Sequence, residues 1–271
     1  MIIGSGKTYT FFGPDDSMFV SSETTVTSGI VQRTFEELLI AKNFLNKNGI
    51  NMSFTAQFIE IYEEQVTDLL TGQIVSIRRD TGEIHGAMEA TNLIDMNHVL
   101  EILKIGHERK RFAATAMNDR SSRSHTAIVI HVLQKINKEK MLKIIENGGM
   151  SGLSPALIQS IQMLSHNNES TDITVNNFED DKLIRSQLHL IDLAGSERIK
   201  KSKAAGVRLK EAVGINSSLL VLGKVISSLV KGQSHIPYFE SKLTTMLKAA
   251  FGGNSKTTVI INCRSDCDSG D

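Results

Sequence analysis

The chain has 271 residues, of which 40% are hydrophobic and 22% are charged, and its 30 basic and 30 acidic side chains balance to zero. This composition excludes a chain that is disordered throughout, and the neutral net charge argues against binding of nucleic acid through an overall positive charge. No apolar run reaches the roughly 18 residues that span a bilayer, the first residues lack a secretory signal, and the two cysteines are too few for a disulfide scaffold. We therefore expect a protein of a reducing compartment, with no membrane or nucleic-acid partner.

Hydrophobic periodicity predicts five elements in the first half of the chain: a helix over 34–45, a strand over 53–62, a short helix over 63–70, a hairpin over 74–84 and a helix over 97–112. Thr34 is the expected N-cap of the first helix, because its hydroxyl is suited to accept from an early backbone N–H. The expected hairpin turn is Asp80–Thr81–Gly82.

The second half adds five more predicted elements: strands over 127–133 and 187–193, helices over 210–230 and 238–251, and a last apolar strand over 257–262. Gly252 and Gly253 are the expected stop of the second helix. Strands that alternate with helices predict an α/β fold. Between about 135 and 185 the composition turns polar, which we interpret as a surface insertion. It is either a solvated loop or a segment that binds a partner.

A short glycine-rich motif opens the chain, Gly4–Ser5–Gly6–Lys7–Thr8. Glycines let successive backbone N–H groups turn toward phosphate oxygens, and a following helix directs its positive end at the same anion. In such a loop the lysine neutralises the phosphates and the threonine hydroxyl binds Mg²⁺. The first glycine of the full pattern is replaced here by Met1, so a chance glycine turn remains the alternative on this motif alone.

Two further motifs support the phosphate-loop interpretation. Residues 118–125 read NDRSSRSH, and residues 192–197 read DLAGSE directly after an apolar strand. A carboxylate at the end of a buried strand, followed by a glycine, suits a site that holds Mg²⁺ through water and contacts a γ-phosphate by a backbone N–H. Singly, Asp192 fits a helix N-cap and the serines fit a polar turn. Together and in this order, the motifs favour a nucleotide site.

With these motifs the sequence resembles the kinesin motor domain family. GSGKTYT, NDRSSRSH and DLAGSER match its phosphate loop, switch I and switch II, and the similarity continues over 214–229, 235–247 and 251–262. The resemblance implies one partial motor domain over 1–271, in a P-loop NTPase fold with a mixed central sheet flanked by helices. It also implies that the family's first strands and closing helix are missing, which leaves the predicted strand 257–262 without partners. We therefore expect this chain alone to fold poorly or to hydrolyse ATP slowly.

The resemblance assigns roles residue by residue, with ATP and Mg²⁺ as the cofactors. It implies that nucleotide is bound by Gly4, Ser5, Gly6, Lys7, Thr8, Tyr9, Asn118 and Ser121. It implies that the metal is held by Thr8, Ser122 and Asp192. It implies catalytic roles for Ser122, Arg123, Gly195 and Glu197. Within that last set, Arg123 and Glu197 match a salt bridge between the switches, and Gly195 donates its N–H to the γ-phosphate. Phosphoryl transfer depends on such positioning and charge neutralisation.

The implied partner is the microtubule, in a cytoplasmic, cytoskeletal protein. Its expected contacts are Lys200, Lys201, Lys203, Arg208, Lys210, His235, Lys242 and Lys248; without the resemblance, a solvated basic loop is the simpler interpretation of 198–210. The family commonly has arginine where this chain has Phe239 and Thr245, and lysine where it has Val213 and Ser217. We therefore hypothesise weak microtubule affinity.

Two functions are compatible with the sequence. The first is an ATP-dependent microtubule motor core, and the second is a non-motor module that binds tubulin or a partner with little ATP turnover. The absent first glycine favours the second, whereas the retained nucleotide residues favour the first. We expect no oligomer from this chain alone, because it contains no heptad run.

Overall fold

The computed structural model describes residues 6–14, 24–116, 123–136, 182–195, 207–251 and 255–262. The chain divides into two compact units, the first over 1–36, 55–130 and 189–271 and the second over 37–54 and 131–188. The described residues contain five α-helices, α1 to α5, and six strands, β1 to β6. The helices are α1 Lys7–Phe12, α2 Ile30–Lys47, α3 Met96–Ala116, α4 Val207–Val230 and α5 Lys242–Met246. The strands are β1 Ile50–Tyr62, β2 Gln65–Asp68, β3 Ile74–Ile77, β4 Ile84–His85, β5 His125–Ile136 and β6 Lys182–Asp192.

The six strands form one sheet in the order β4-β3-β2-β1-β5-β6. Strands β1 to β4 follow one another as antiparallel neighbours, and Ile77 pairs with Ile84 across the β3–β4 hairpin. This confirms the predicted hairpin over 74–84. The predicted strands around 53–62, 127–133 and 187–193 are confirmed as β1, β5 and β6. Each begins a few residues earlier than predicted; β1 ends where predicted, β5 ends three residues later and β6 one residue earlier.

The predicted short helix over 63–70 is wrong. Glu63 and Glu64 have φ values of 47° and 63°, so the chain reverses there and β2 pairs back onto β1, with Tyr62 opposite Gln65. The segment contains good helix formers, but the strand buries Val66 and Asp68 on one face. Tertiary burial therefore outweighs local helix propensity.

Of three further predicted helices, two are confirmed and one begins earlier than predicted. Helices over 97–112 and 210–230 are confirmed as α3 and α4. The helix predicted over 34–45 is present as α2, but it begins at Ile30, so Thr34 lies inside the helix and is not its N-cap. Its first turn buries Val31, which extends the apolar face beyond the predicted start, and it also buries Gln32.

The helix predicted over 238–251 is wrong as one continuous element. Short 3₁₀ turns at Tyr238–Glu240 and Leu247–Ala250 flank α5, and Ser241 is extended with φ −144° and ψ 157°. Ser241 accepts a hydrogen bond at its Oγ from the Thr244 N–H at 3.1 Å. This N-cap stabilises a helix start at Lys242 and so interrupts the longer helix. The predicted stop at Gly252 and Gly253 lies outside the described residues.

The predicted strand over 257–262 is also wrong. The segment forms no strand, and Val259, Ile260 and Ile261 are 69%, 56% and 79% exposed. No strand in the described part of the chain pairs with it. An apolar sequence without a neighbouring ladder has no backbone partners to stabilise an extended pairing, which is the physical reason that the strand does not form.

One buried cluster of the first unit lies between the sheet and the C-terminal helices. It includes Ile59, Ile61, Val66, Ile77, Ala127, Leu243, Met246 and Leu247, all of them buried. Helix α5 is thereby packed onto β1, β2 and β3. The second unit has its own local contacts, among them the Met52 N–H donating to Asn46 Oδ1 at 2.7 Å. Of the helices in the described ranges, none has the length and apolarity that a membrane span requires.

Gly106 permits α3 to pack directly against β1. A Cβ added at Gly106 lies 2.2 Å from Cδ1 of Phe58, whose side chain is almost fully buried. We expect Gly106→Ala to reduce the free energy of unfolding by about 1–3 kcal/mol, because a rigid ring or the helix must move. Urea denaturation measures this change.

Gly223→Ala is the matched control for this prediction. Gly223 lies on the exposed side of α4, and a Cβ added there has no heavy atom within 4 Å. The alanine should therefore stabilise the chain by roughly 0.5–1 kcal/mol through its helix propensity. Equal effects of the two substitutions would contradict close packing at Gly106.

Candidate functional site

The glycine-rich motif leads directly into α1, as the sequence predicted. Gly6 precedes the helix with φ 90° and ψ 10°, a left-handed conformation that favours glycine. Phe11 and Phe12 are buried, and the Phe12 ring lies 6.1 Å from the Phe58 ring and 6.0 Å from the imidazole of His107. The two phenylalanines are thus packing residues, and they fix α1 against β1 and α3.

The first turn of α1 meets the end of β6. Thr8 Oγ1 donates a hydrogen bond to Asp192 Oδ2 at 2.9 Å, although the two residues are 184 positions apart in the sequence. Asp192 is the last residue of β6 and is buried, whereas Thr8 is exposed. A hydroxyl and a carboxylate therefore converge at one point, and both were assigned to the metal from the sequence.

A buried lysine lies behind this contact. Lys110 is 8% exposed, and its Nζ donates to Thr126 Oγ1 at 2.5 Å. Burial lowers the pKa of Lys110, and the negative charges of Asp192 and Glu60 oppose this effect. Burial likewise raises the pKa of Asp192, whereas Lys110, the hydrogen bond from Thr8 and the charge of Lys7 act to lower it. The site therefore combines a buried lysine with two buried carboxyl groups.

Lys110 is not among the site residues that the sequence predicted. The buried face of α3 contains Val99, Leu103, Gly106 and Lys110, at the spacing of one apolar stripe. A lysine at such a position is the signal that was available, because a buried lysine requires a partner.

His125 forms a second buried polar contact. Its Nδ1 accepts a hydrogen bond from the Ala194 N–H at 3.0 Å, and its Nε2 lies 2.8 Å from Ser218 Oγ. Burial, reinforced by the positive charge of Lys110, lowers the pKa of His125 to about 4. The imidazole is therefore neutral at pH 7, and acceptance at Nδ1 places its proton on Nε2. The sequence predicted that His125 belongs to switch I, but it did not predict these two contacts.

The structure describes about half of the predicted nucleotide and catalytic residues. Those described are Gly6, Lys7, Thr8, Tyr9, Arg123, Asp192 and Gly195. Gly195 follows Ala194 and is half-buried, as is Arg123, whereas Tyr9 is 53% exposed. The others, Gly4, Ser5, Asn118, Ser121, Ser122 and Glu197, lie outside the described residues. Pairing of Arg123 with Glu197 therefore stays a prediction.

The predicted microtubule residues fall into two groups. Lys200, Lys201 and Lys203 lie outside the described residues, and for Arg208 and Lys210 the structure describes only the backbone of α4. His235, Lys242 and Lys248 are described, with His235 exposed. The Lys242 N–H donates to Glu64 Oε2 at 2.6 Å.

Lys248 makes two contacts within the chain. Its Nζ donates to the Asp80 carbonyl oxygen at 3.2 Å and lies 5.2 Å from the centre of the Phe239 ring. Phe239, one of the two positions where the family commonly has arginine, therefore interacts with a neighbouring cation instead of adding one.

The donor set at Thr8 and Asp192 suits Mg²⁺. Within the described ranges, no group of three or more histidine, cysteine, aspartate or glutamate side chains is arranged to hold a metal. Mg²⁺ does not need such a cage, because it is commonly bound through one or two carboxylates, with waters and substrate phosphates as the other ligands. The residues present therefore fit a phosphate-associated Mg²⁺.

Comparison with known proteins gives one consistent family. A family model for the kinesin motor domain matches residues 2–154 and 156–269. Kinesin-like protein KIN-14F of Arabidopsis thaliana is 36% identical over 266 residues, which cover 96% of this chain and 20% of that protein. Kinesin-like protein cut7 of Schizosaccharomyces pombe is 34% identical over 272 residues, which cover 97% of this chain and 22% of that protein. The chain thus spans about a fifth of the length of these curated relatives.

Two solved structures have the same fold. One is a fast kinesin whose description concerns its ATPase mechanism and interactions with microtubules, with a TM-score of 0.70 and 33% identity over 96% of this chain and 61% of that chain. The other is a KIF14 dimer with AMP-PNP in complex with a microtubule, with a TM-score of 0.67 and 29% identity over 93% of this chain and 61% of that chain. The predicted α/β fold is confirmed.

Proposed function

Because the chain belongs to the kinesin motor domain family, we propose that it binds Mg²⁺-ATP, hydrolyses it and couples hydrolysis to microtubule binding. The observation that carries this proposal is the contact between Thr8 and Asp192. It brings the end of the phosphate loop to the start of switch II, which is the arrangement that a phosphoryl-transfer site requires. A protein that only bound a partner would have no physical need for this pair.

The residues around this contact have complementary roles in the proposal. Lys7 neutralises charge on the phosphates, and Thr8 and Asp192 hold Mg²⁺, Asp192 through water. Bound Mg²⁺ supplies charge stabilisation to the phosphates. Gly195 donates its N–H to the γ-phosphate, and Arg123 with Glu197 positions the attacking water. The protein therefore contributes positioning and electrostatic stabilisation, with no covalent intermediate.

Microtubule binding is the second part of the proposal. The supporting observations are the family match and the KIF14 structure, which is a complex with a microtubule. Lys248 already contacts the Asp80 carbonyl oxygen and the Phe239 ring, and binding a microtubule through its Nζ would compete with these contacts. We therefore propose that the chain binds microtubules weakly and in a salt-sensitive way, because each exposed ion pair contributes only about 0.2–1 kcal/mol. We also propose that the protein is cytoplasmic.

A non-motor binding module is the second candidate. The observation that favours it is the exposed apolar segment 259–261, which in this chain pairs with no described strand. A segment that forms no ladder with the described strands would contribute less support to the phosphate loop and so reduce ATP turnover. Such a module would still bind tubulin or another partner.

ATP turnover measured with and without microtubules separates the two candidates. We expect detectable basal turnover that rises when microtubules are added and falls again as salt increases, because screening weakens the contact. Glu197→Ala is expected to abolish the turnover, which excludes a contaminating ATPase. Microtubule co-sedimentation without turnover would favour the binding module, and tight co-sedimentation at physiological salt would contradict weak affinity.

A further inference from the structure

One imidazole contacts two segments of the first unit, and both are far from it in the sequence. His125 is the first residue of β5, Ala194 lies directly before Gly195, and Ser218 lies on α4. The His125 ring hydrogen-bonds both Ala194 and Ser218, at 3.0 Å and 2.8 Å. His125 and Ser218 are 3% and 4% exposed, so water does not compete for these bonds.

The two bonds use both nitrogens of one neutral ring. Nδ1 can accept from a backbone N–H only when it carries no proton, so the proton is on Nε2. Nε2 then donates to Ser218 Oγ. The lowered pKa of His125 agrees with this assignment, since protonation at Nδ1 would put a second donor against the Ala194 N–H. A planar ring between the two partners allows little independent movement of either.

We propose that His125 is a positioning residue that links the switch II backbone at Ala194 to helix α4 through Ser218. The inference rests on the proposed ATPase function, in which Gly195, the next residue, contacts the γ-phosphate. When the backbone at Gly195 shifts, the Ala194 N–H moves relative to the His125 ring, and the ring transfers this movement to Ser218. The coupling therefore runs through a short, buried contact in addition to the covalent chain between switch II and α4.

Ser218→Ala tests this link, because it removes the acceptor on α4 and leaves the contact with Ala194 intact. We expect basal ATP turnover within about twofold of the original chain, while stimulation by microtubules falls about fivefold or more, as for a typical coupling between sites. Ser228→Ala is the matched control, since Ser228 is also buried on α4. It should leave both quantities unchanged. Full stimulation in Ser218→Ala would overturn the proposal.

His125→Asn provides the second arm. The shorter asparagine retains a group that can face Ala194 but does not reach Ser218, so this change and Ser218→Ala break the same link. The double variant is therefore expected to lose no more stimulation than the more affected single variant. Additive losses would show that the two residues act independently and would overturn the link.

An activity-independent readout separates failure of this inference from failure of the proposed function. Hydrogen exchange at the Ala194 amide is expected to be at least about fivefold faster in Ser218→Ala than in Ser228→Ala, because the ring loses its anchor on α4. Nitrogen-15 spectra of the original chain should show His125 protonated at Nε2. Unchanged exchange, or protonation at Nδ1, would overturn the link even if ATP turnover is present. If the chain showed no ATP turnover but exchange at the Ala194 amide was faster in Ser218→Ala, the proposed ATPase function would be overturned and the link through His125 would stand.

Discussion

Replacing Thr8 with valine is expected to lower ATP turnover by about 100-fold or more, the loss typical when one group that stabilises developing charge is removed. Valine has nearly the shape of threonine but no hydroxyl, so it can neither donate to Asp192 nor bind Mg²⁺. Steady-state ATPase assays across Mg²⁺ concentrations measure the effect. The apparent affinity for Mg²⁺ should fall together with turnover.

Thr8→Ser is the matched control because it keeps the hydroxyl and removes only a methyl group. Thr8→Ser keeps the donor to Asp192 and should change the free energy of unfolding by less than about 0.5 kcal/mol. Thr8→Val leaves the buried carboxylate without this donor, so it should lower the free energy of unfolding by about 1–3 kcal/mol. Urea denaturation of both variants therefore accompanies the assay, and turnover is compared under conditions in which both are folded. If the valine variant turned over ATP as fast as the serine variant, the assignment of Thr8 to the metal would be wrong.

Lys110→Met is expected to reduce the free energy of unfolding by about 3 kcal/mol or more, because removing one partner of a buried charge group leaves the others uncompensated. Asp192 and Glu60 are 6% and 2% exposed, and both interact with the charge of Lys110. Without that charge, the pKa of Asp192 should rise further, since its burial would be opposed only by Thr8 and Lys7. Urea denaturation at neutral pH measures the loss.

Lys104→Met is the control for this stability prediction. Lys104 lies on the exposed side of the same helix, α3, and its replacement should change the free energy of unfolding by no more than about 0.5 kcal/mol. A Lys110→Met variant as stable as Lys104→Met would contradict the conclusion that Lys110 balances the buried carboxyl groups. The comparison cancels the general effect of methionine on helix stability.

Two of the incorrect secondary-structure predictions share one cause. Residues 63–70 have helical composition, but the left-handed turn at Glu63 and Glu64 returns the chain to the sheet. Residues 257–262 have strand composition, but no described neighbour pairs with them. In both cases the decisive interaction involves residues that a local window does not contain. The helix break at Ser241 has a different cause, because the N-cap bond from the Thr244 N–H to Ser241 lies within the predicted helix 238–251 itself.

The amino-acid sequence alone was enough to identify the phosphate-loop motif, the two switch motifs, the family resemblance and most of the strands and helices. These features depend on residue types at short spacings, where local hydrogen bonding and periodic burial decide the conformation. Tertiary packing was needed to show that Thr8 contacts Asp192, that Lys110 is buried and interacts with Asp192 and Glu60, and that His125 contacts Ala194 and Ser218. These contacts join residues on different helices and strands, so their geometry is set by how those elements pack, and no local pattern contains it.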